Sequence, residues 1–324
     1  MAVRDLVGGT QATYKNNVTT IFFVRFYNGK NLNILLFTLL LMMYIVTICG
    51  HLLIIPLLAY SKTLHSPMYF FPSQLSINDI ILTTDIAPNM LNILLHDQTF
   101  IYFSSCIAQF YFFCFSETFE CLLLMVMSYD RYLAICSPLH YASIMNHALC
   151  IKFILATWSL NCLVGFIVTH GMCQLQFCGP NTIHHFYCDL NPLMELSCSD
   201  VSIIEMEATL LCIPVLAFPL CVIVGSYTRV VLAILKISSV SGRQKSFSTC
   251  SSHLTVVFIF YGTLIAMYAL PNEGQLDHIS KILALLYTVF TPFLNPFIYS
   301  LRNKDIKEAL RLAVYHFGAY LQCF

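Results

Sequence analysis

Residues 125–136, MVMSYDRYLAIC, place an acid beside a guanidinium at the end of a long apolar stretch. Ionisable groups such as Asp130 and Arg131 are costly at or near hydrocarbon, and they usually mark a working part of a membrane protein. Adjacent opposite charges partly neutralise each other, and a planar guanidinium keeps donors free for backbone carbonyls of a partner helix. The alternative is an interfacial Arg that only extends its charged head toward water.

Two further acids, Asp79 and Glu120, also lie inside apolar stretches. On their helices they are about 18 and 24 Å from the end of the molecule that carries Arg131, so they can share one polar cavity. Two carboxyl groups in a low dielectric either share a cation or become protonated. Both alternatives stay open, a bound sodium ion or a protonated, hydrogen-bonded pair.

Glu117 lies three residues before Glu120, on a neighbouring part of the same helix face. We predict that it faces a small, mostly apolar cavity with a few polar anchors. The predicted walls are residues at helical spacing on three helices, namely Phe113, Cys114 and Thr118, then Leu211 and Val215, then Tyr261, Leu264, Ile265 and Tyr268. One hypothesis is that Glu117 binds an amine or another hydrogen-bond donor, since no Lys or Arg is available nearby. The alternative is that Glu117 and Asp85 are protonated and bonded to water or hydroxyls.

Apolar helices must position all of these groups. Hydrophobic residues make up 58% of the 324, charged residues 10%, and the mean hydropathy is +0.75, which leaves too few charges for the surface of a soluble domain. Seven apolar blocks can each cross about 30 Å of hydrocarbon, at 33–59, 67–95, 106–136, 149–172, 203–236, 247–270 and 279–301. We therefore predict an all-α membrane protein with a seven-transmembrane helix bundle. The net charge of zero gives no electrostatic footprint for nucleic acid.

Lys and Arg indicate the orientation. With the N-terminus outside, eleven of the 16 fall on the inner side, which favours a cytoplasmic C-terminus. We expect residues 1–32 to be extracellular without a cleavable signal sequence, 33–301 to form the membrane domain, and 302–324 to be a cytoplasmic tail. Asn17 begins a glycosylation sequon on the predicted outer side. Ile306, Leu310 and Val314 form an apolar stripe, which predicts a short amphipathic helix on the cytoplasmic membrane surface.

Five motifs occur in order along the chain. They are LHSPMYFF entering the second span, MSYDRYLAICSPLHY leaving the third, SY at Ser226–Tyr227, KSFSTCSSHL opening the sixth and PFLNPFIYSLRN ending the seventh. Together they resemble the olfactory receptor family of rhodopsin-like G-protein-coupled receptors, over nearly the whole chain. The second outer loop is similar to that of the tetrapod-type odorant receptors. The resemblance implies a plasma-membrane receptor without enzymatic activity, which binds a small volatile odorant and activates a stimulatory G protein that raises cAMP.

The resemblance also implies roles for single residues. Arg131, next to Tyr132, would be held by Asp130 at rest and would face the G protein once the sixth helix swings outward. Tyr227 and Tyr299 would then brace it.

Other roles concern the seventh helix and the middle of the bundle. Pro296 removes one helical hydrogen bond, and Asn295 can satisfy the exposed carbonyls, so that LNPFIY would act as a hinge. Asp79 and Glu120 would form a sodium pocket, and no other cofactor is expected.

For the outer side, the resemblance pairs Cys106 with Cys188 and Cys178 with Cys198, which would pin the second outer loop over the cavity and leave Cys173 unpaired. The rival interpretation is a zinc or copper site built from His184, His185, Cys188 and Asp189, because imidazole and thiolate are good ligands for these metals. A disulfide at Cys188 would remove its thiolate.

Two positions depart from the family pattern. His51 follows Gly50 where the family has Asn, and Pro72 enters the second helix after its first turn. A poorly signalling family member is therefore one alternative. Others are a receptor for a non-odorant metabolite and, less favoured, a transporter or channel, which would need inverted repeats or a polar path through the bundle.

Overall fold

Helices form nearly all of the described chain. The structure is a computed structural model that describes residues 18–24, 30–60, 67–96, 98–178, 181–269, 277–302 and 306–312. The helices are α1 (Lys30–Tyr60), α2 (Pro67–Leu95), α3 (Phe103–Cys136), α4 (Pro138–Ile144), α5 (His147–Gln174), α6 (Leu190–Glu195), α7 (Ser202–Leu235), α8 (Val240–Ala269), α9 (Asp277–Leu285) and α10 (Thr291–Arg302). A π-helical turn, Leu286–Phe290, joins α9 to α10, and residues 306–312 are also helical.

Seven units of this helical set correspond to the predicted spans. Helices α1, α3, α5, α7 and α8 are long and apolar enough to cross a membrane, and so is Ile279–Tyr299, which combines α9, the π turn and α10. The seventh unit, α2, is 29 residues long but less apolar, because it carries Asn78, Asp79 and Asp85. It packs between α1 and α3, which shields these polar groups from lipid. The predicted seven-helix bundle is confirmed.

Helix α3 lies at the centre of the bundle, in contact with α2, α5, α7 and α8. In its most apolar window 78% of residues are buried, against 11% in α1 and 17% in α7. The exposed faces of α1 and α7 consist of large apolar side chains, including Leu35, Met42, Ile213 and Phe218. Exposure of so many large apolar side chains to water would be unfavourable, so these faces are suited to contact with lipid.

A small sheet covers one end of the bundle, and we call this end the outer end. Strand β1 (Thr20–Val24) pairs antiparallel with β2 (Gln98–Tyr102) and parallel with β3 (Thr182–Ile183). Ile21 and Phe23 point inward and are almost completely buried, whereas Phe22 between them is exposed, as expected from the alternation of side chains along a strand. The pattern of apolar blocks in the sequence did not predict this sheet, because the strands are only two to five residues long.

The span limits agree with the prediction to within a few residues, except at α8. That helix begins at Val240 rather than at residue 247, because a polar turn precedes the apolar block. Residues 306–312 form the predicted tail helix, but Ile306 and Ala309 are buried against Ile54, Leu58 and Tyr69. The apolar side of the tail therefore packs on the ends of α1 and α2, and Val314 lies outside the described residues.

Candidate functional site

At the inner end, Arg131 and Asp130 have separate partners. Arg131 is 5% exposed, and its Nη2 donates to the carbonyl oxygen of Met68 in α2 at 3.4 Å. The Asp130 carboxylate accepts from the hydroxyl of Tyr141 in α4 at 2.8 Å. No ion pair within 4.0 Å joins the two neighbours in the described structure, so the expected Asp130–Arg131 clasp is wrong for this conformation. Burial and the nearby Asp130 carboxylate raise the pKa of Tyr141, which keeps its hydroxyl protonated as a donor.

The two tyrosines expected to brace Arg131 lie near it without bonding to it. The Tyr227 hydroxyl pairs with Nδ1 of His253 at 2.7 Å, and the two rings stack with centroids 5.6 Å apart. The Tyr299 hydroxyl is buried and has no hydrogen-bond partner among the described residues. Tyr132 is partly buried and stacks on Tyr129. His253 therefore ties α8 to α7 in this conformation, a role that its place in KSFSTCSSHL did not reveal.

A polar network crosses the middle of the bundle. Asn295 in α10 donates from Nδ2 to Oδ2 of Asp79 in α2 at 2.9 Å. His51 in α1 places its Nε2 3.0 Å from the Pro292 carbonyl oxygen and 3.3 Å from the same Asp79 oxygen. A protonated Nε2 can serve both acceptors, so His51 joins three helices at the position where the family has Asn. Its ring fits this site, being 1% exposed.

The same network could hold a cation. Oδ1 of Asp79 and both carboxylate oxygens of Glu120 are buried without a hydrogen-bond partner in the described structure. Unpaired buried carboxylate oxygens are suited to a hard cation such as sodium. Other metals have less support, because no group of three or more His, Cys, Asp and Glu side chains in the described residues is placed to bind one.

Helices α1 and α10 approach each other closely at Gly50. A Cβ added there would lie 3.2 Å from both Cβ and Cγ of Pro296. Pro296 lacks a backbone N–H, and its buried ring fills the space that the glycine leaves. The LNPFIY segment of α10 is therefore packed closely against α1 at Pro296.

The second outer loop forms a lid over the outer end. Disulfides join Cys106 to Cys188 and Cys178 to Cys198, with Cα–Cα distances of 5.6 and 5.8 Å, as the resemblance implies. Cys173 is exposed and free. Since Cys188 is in a disulfide, the suggested metal site of His184, His185, Cys188 and Asp189 loses its thiolate.

Gln109 in α3 fixes the lid to the bundle. Its Oε1 accepts from the Cys188 N–H at 2.9 Å, and its Nε2 donates to the Asp85 backbone oxygen at 2.8 Å. Asn89 in α2 donates to the Phe186 carbonyl oxygen at 3.2 Å. Sequence reasoning missed both amides, because their partners lie far away along the chain.

Three aromatic rings pack together where the lid meets the bundle, in the region of the predicted cavity. The ring of Phe113 lies 4.8 Å from that of Tyr187 in the lid and 6.1 Å from that of Tyr287 in the π turn. All three are fully or almost fully buried. Burial raises the pKa of Tyr187 well above its usual range, and the nearby Asp189 and Glu117 carboxyls add to this rise. Glu117 therefore acts electrostatically on Tyr187 of the lid.

The remaining predicted wall residues divide into two groups. Tyr261 and Leu264 are buried, Thr118 is 7% exposed, and Cys114, Leu211 and Val215 are partly buried. Ile265 is 55% exposed, on the same face of α8 as Phe258, which is 79% exposed. Seven residues are two helical turns, so Ile265 faces outward and its assignment to the cavity wall is wrong. The side chain of Tyr268 and the sequon residue Asn17 lie outside the described part of the chain.

Known proteins resemble this chain over most of its length. Residues 40–316 match the profile of the olfactory receptor family. Olfactory receptor 11L1 of Homo sapiens is 46% identical over 296 residues, covering 91% of this chain and 92% of that protein. Olfactory receptor 1M1 of Mus musculus is 44% identical over 277 residues, covering 85% and 88%. The chain belongs to the olfactory receptor family. It is accordingly a G-protein-coupled receptor and not an enzyme.

Family membership indicates where this protein lies and which partners it has. An olfactory receptor is a multi-pass membrane protein with an odorant and a G protein as its partners. The lidded aromatic region is at one end of this receptor and Arg131 is at the other, and the polar network of Asp79, His51 and Asn295 lies between them.

Proposed function

We propose that this olfactory receptor binds a small, mainly apolar odorant under its lid and activates an olfactory stimulatory G protein, which raises cAMP. The observation that carries the proposal is a buried aromatic group, in which Phe113 and Tyr287 of the bundle meet Tyr187 of the doubly disulfide-bonded loop. Burial of a ligand's apolar surface there contributes about 25 cal/mol per Å².

Helix α8 can transmit a movement from the ligand region to the inner end. Tyr261 borders the outer region, and His253 lies eight residues away on the same helix, a separation of about 12 Å. A ligand that shifts α8 at Tyr261 also moves His253 and strains its 2.7 Å bond to Tyr227. Once this bond opens, the Tyr227 hydroxyl is free to meet Arg131, which leaves Met68 and faces the G protein.

Asp79 and Glu120 are the residues that would hold a sodium ion in the resting receptor. The ion would offset two buried acids and tie α2 to α3 between the ligand region and Arg131. Their unpaired oxygens support this assignment. An outward movement of α8 and α10 would loosen the site through Asn295, which bonds Asp79.

We also propose how the receptor is oriented in the membrane. Residues 1–32 are extracellular with a glycan on Asn17, 33–301 form the membrane domain, and 302–324 are cytoplasmic, in the plasma membrane. The excess of Lys and Arg at the inner end supports this orientation. Membrane lipid covers the exposed apolar faces of α1 and α7. Loss of a glycan shift in Asn17→Gln would test the outer placement of the N-terminus.

The decisive experiment measures cAMP in cells that express the receptor with an olfactory stimulatory G protein. A panel of volatiles is compared with a panel of non-volatile metabolites, and each response is normalised to receptor at the cell surface. Volatiles should activate the parent, and Arg131→Ala should abolish the response while Lys152→Ala, an exposed cation on α5, retains it. A surface-expressed Arg131→Ala receptor that signals as strongly as the parent would contradict the proposal. Activation by metabolites alone would favour the non-odorant alternative.

A further inference from the structure

One stretch of the lid is inserted into the bundle. Phe186, Tyr187 and Cys188 are each 0% exposed. Loops usually run over the surface of a protein, because a buried loop must find partners for its backbone polar groups. Three consecutive loop residues that are fully buried therefore indicate that the bundle holds this stretch in place.

Side chains of two helices bind the lid backbone on either side of Tyr187. Asn89 of α2 donates from Nδ2 to the Phe186 carbonyl oxygen at 3.2 Å. The Cys188 N–H donates to Oε1 of Gln109 in α3 at 2.9 Å. These two amides pair backbone groups that would otherwise be buried without a partner, which is costly. The residue between the two attachments, Tyr187, is thereby fixed in position.

The amide of Gln109 is itself oriented by its partners. Its Nε2 donates to the backbone oxygen of Asp85 at 2.8 Å, while its Oε1 accepts from the lid. A flipped amide would set donor against donor and acceptor against acceptor. The disulfide between Cys106 and Cys188 joins the lid to α3 less than one helical turn away, since Cys106 is three residues before Gln109. Gln109 therefore connects α2, α3 and the lid.

The ring of Tyr187 lies in the predicted ligand region. Its centroid is 4.8 Å from that of Phe113, a residue that the sequence places in the cavity wall. Phe113 in turn packs on Tyr287, with ring centroids 6.1 Å apart. A ligand that packs on Phe113 therefore meets the Tyr187 ring where the bundle meets the lid.

We propose that Tyr187 is a ligand-contacting residue that limits the length of the odorant, and that Gln109 and Asn89 are positioning residues that hold its ring against Phe113. This inference rests on the proposed odorant-binding function and specifies which ligands fit. Each additional buried methylene group strengthens binding about fourfold until the chain reaches the ring. A longer chain must displace the packed ring, so its binding is weaker.

The probes are unbranched alcohols, aldehydes and methyl ketones from butyl to dodecyl. The cAMP response to each concentration is measured in cells that express the receptor with an olfactory stimulatory G protein, and it is normalised to receptor at the cell surface. The parent should respond at lower concentrations with each added carbon up to a limit, and then lose the response. Tyr187→Ala should move this limit by about two to four carbon atoms toward longer chains, because the deleted ring leaves a cavity. Tyr187→Phe keeps the ring and should keep the limit.

Matched variants distinguish the length limit from a loss of folding. Tyr102→Ala removes a tyrosine ring that is 61% exposed in β2, and it should leave the limit unchanged. If Tyr187→Ala does not reach the cell surface, Tyr187→Leu gives the same test with a smaller shift. An unchanged limit in a surface-expressed Tyr187→Ala or Tyr187→Leu receptor would overturn the inference.

Hydrogen exchange tests the positioning role of Gln109 without a ligand. Gln109→Met keeps a side chain of similar length but removes the acceptor of the Cys188 N–H. Exchange of the Cys188 amide in the purified receptor should become at least about fivefold faster, because the net contribution of one hydrogen bond is lost. Gln174→Met, at an exposed glutamine of α5, is the control and should leave this exchange unchanged. Unchanged exchange in Gln109→Met would show that Gln109 does not hold the lid.

A double variant tests whether Gln109 acts through Tyr187. Gln109→Met alone should admit longer probes than the parent does, and Asn89→Leu should have a smaller effect of the same kind. In the Tyr187→Ala background, Gln109→Met should have no further effect on the limit, because the ring that it positions is absent. Equal shifts in both backgrounds would contradict the positioning role.

The outcomes separate this inference from the proposed function. If volatiles raise cAMP without a limit of chain length, the length inference is wrong and the odorant-receptor proposal stands. The same conclusion follows if other volatiles activate the parent and no member of the series does, since a length limit requires that shorter apolar chains bind. If no volatile of any chemistry raises cAMP, the proposed function fails and the inference fails with it.

Discussion

The guanidinium of Arg131 donates a hydrogen bond to the carbonyl oxygen of Met68, at 3.4 Å, across the inner end of α2 and α3. In a helix this carbonyl would accept from the N–H four residues later, but that residue is Pro72, which has none. Pro72 is buried within α2, and the helix continues through it. The proline therefore leaves an acceptor available to the arginine, in a family whose usual residue at this position is not proline.

The first prediction concerns this contact. Pro72→Leu restores an N–H that competes with Arg131 for the Met68 carbonyl. We expect greater ligand-independent signalling, by about fivefold if the contact is worth about 1 kcal/mol. Basal cAMP per receptor at the cell surface measures this effect. Pro88→Leu, at an exposed proline of the same helix, is the control and should leave basal signalling unchanged. Equal basal signalling in parent and Pro72→Leu would show that Met68 does not restrain Arg131.

A second prediction concerns the Tyr227–His253 pair. Tyr227→Phe and His253→Phe each remove the same 2.7 Å bond between α7 and α8. Each should destabilise the ligand-free receptor, and the double variant should be less destabilised than the sum of the two, with a coupling of about 1 kcal/mol. Thermal unfolding of the purified receptor supplies the values. Purely additive effects would mean that the bond contributes nothing to the resting state.

The third prediction concerns the packing of α1 on α10. Gly50→Val places a side chain against Pro296, where even a Cβ has only 3.2 Å, and it should destabilise the receptor by about 1–3 kcal/mol. Matched controls are Gly225→Ala and Gly262→Ala, because a Cβ at either glycine meets no atom within 4 Å. These two should be neutral or slightly stabilising, since Ala is a better helix former than Gly. The melting temperature in detergent separates the two outcomes, and a Gly50→Val receptor as stable as the parent would contradict the contact.

Sodium dependence gives the fourth prediction. The purified receptor should be more stable in NaCl than in choline chloride of equal ionic strength, and it should therefore melt at a higher temperature. At ten times the sodium dissociation constant, the free energy of unfolding should increase by about 1–2 kcal/mol. Glu120→Gln and Asp79→Asn should remove this increment, whereas Glu205→Gln should retain it. A parent receptor that melts identically in both salts would favour the protonated carboxyl pair.

The role of His51 gives the fifth prediction. His51→Leu removes the donor near the Pro292 carbonyl and Asp79, and it should cost about 1–3 kcal/mol of stability because both acceptors stay buried. His51→Asn retains a donor and should be milder in the same melting assay. If His51→Asn instead raised surface expression and signalling well above the parent, the histidine would be a defect rather than a substitute for the family's asparagine.

The membrane-spanning fold could be predicted from the sequence alone. An apolar block of 20 or more residues has few alternatives to a helix in hydrocarbon, because every backbone N–H and C=O must be satisfied internally. The order of the motifs then indicated the family and the two disulfides. These features are local, or they are determined by the solvent rather than by neighbouring side chains.

The face that each helix turns inward was decided only by packing. A span that is apolar all round has no clear polar side, so helical spacing placed Ile265 with Tyr261 and Leu264, although it lies on the exposed face. The sheet of β1, β2 and β3 likewise joins segments nearly 80 residues or more apart.

The tertiary structure also decided which groups are the hydrogen-bond partners of the charged side chains. Sequence adjacency indicated Asp130 for Arg131, but neighbouring side chains on a helix point in different directions, and Asp130 meets Tyr141 while Arg131 meets Met68. Chemistry and spacing in the sequence determined which residues could act. Contacts across the bundle decided which of them meet, because a hydrogen bond depends on distances between atoms that the linear order does not contain.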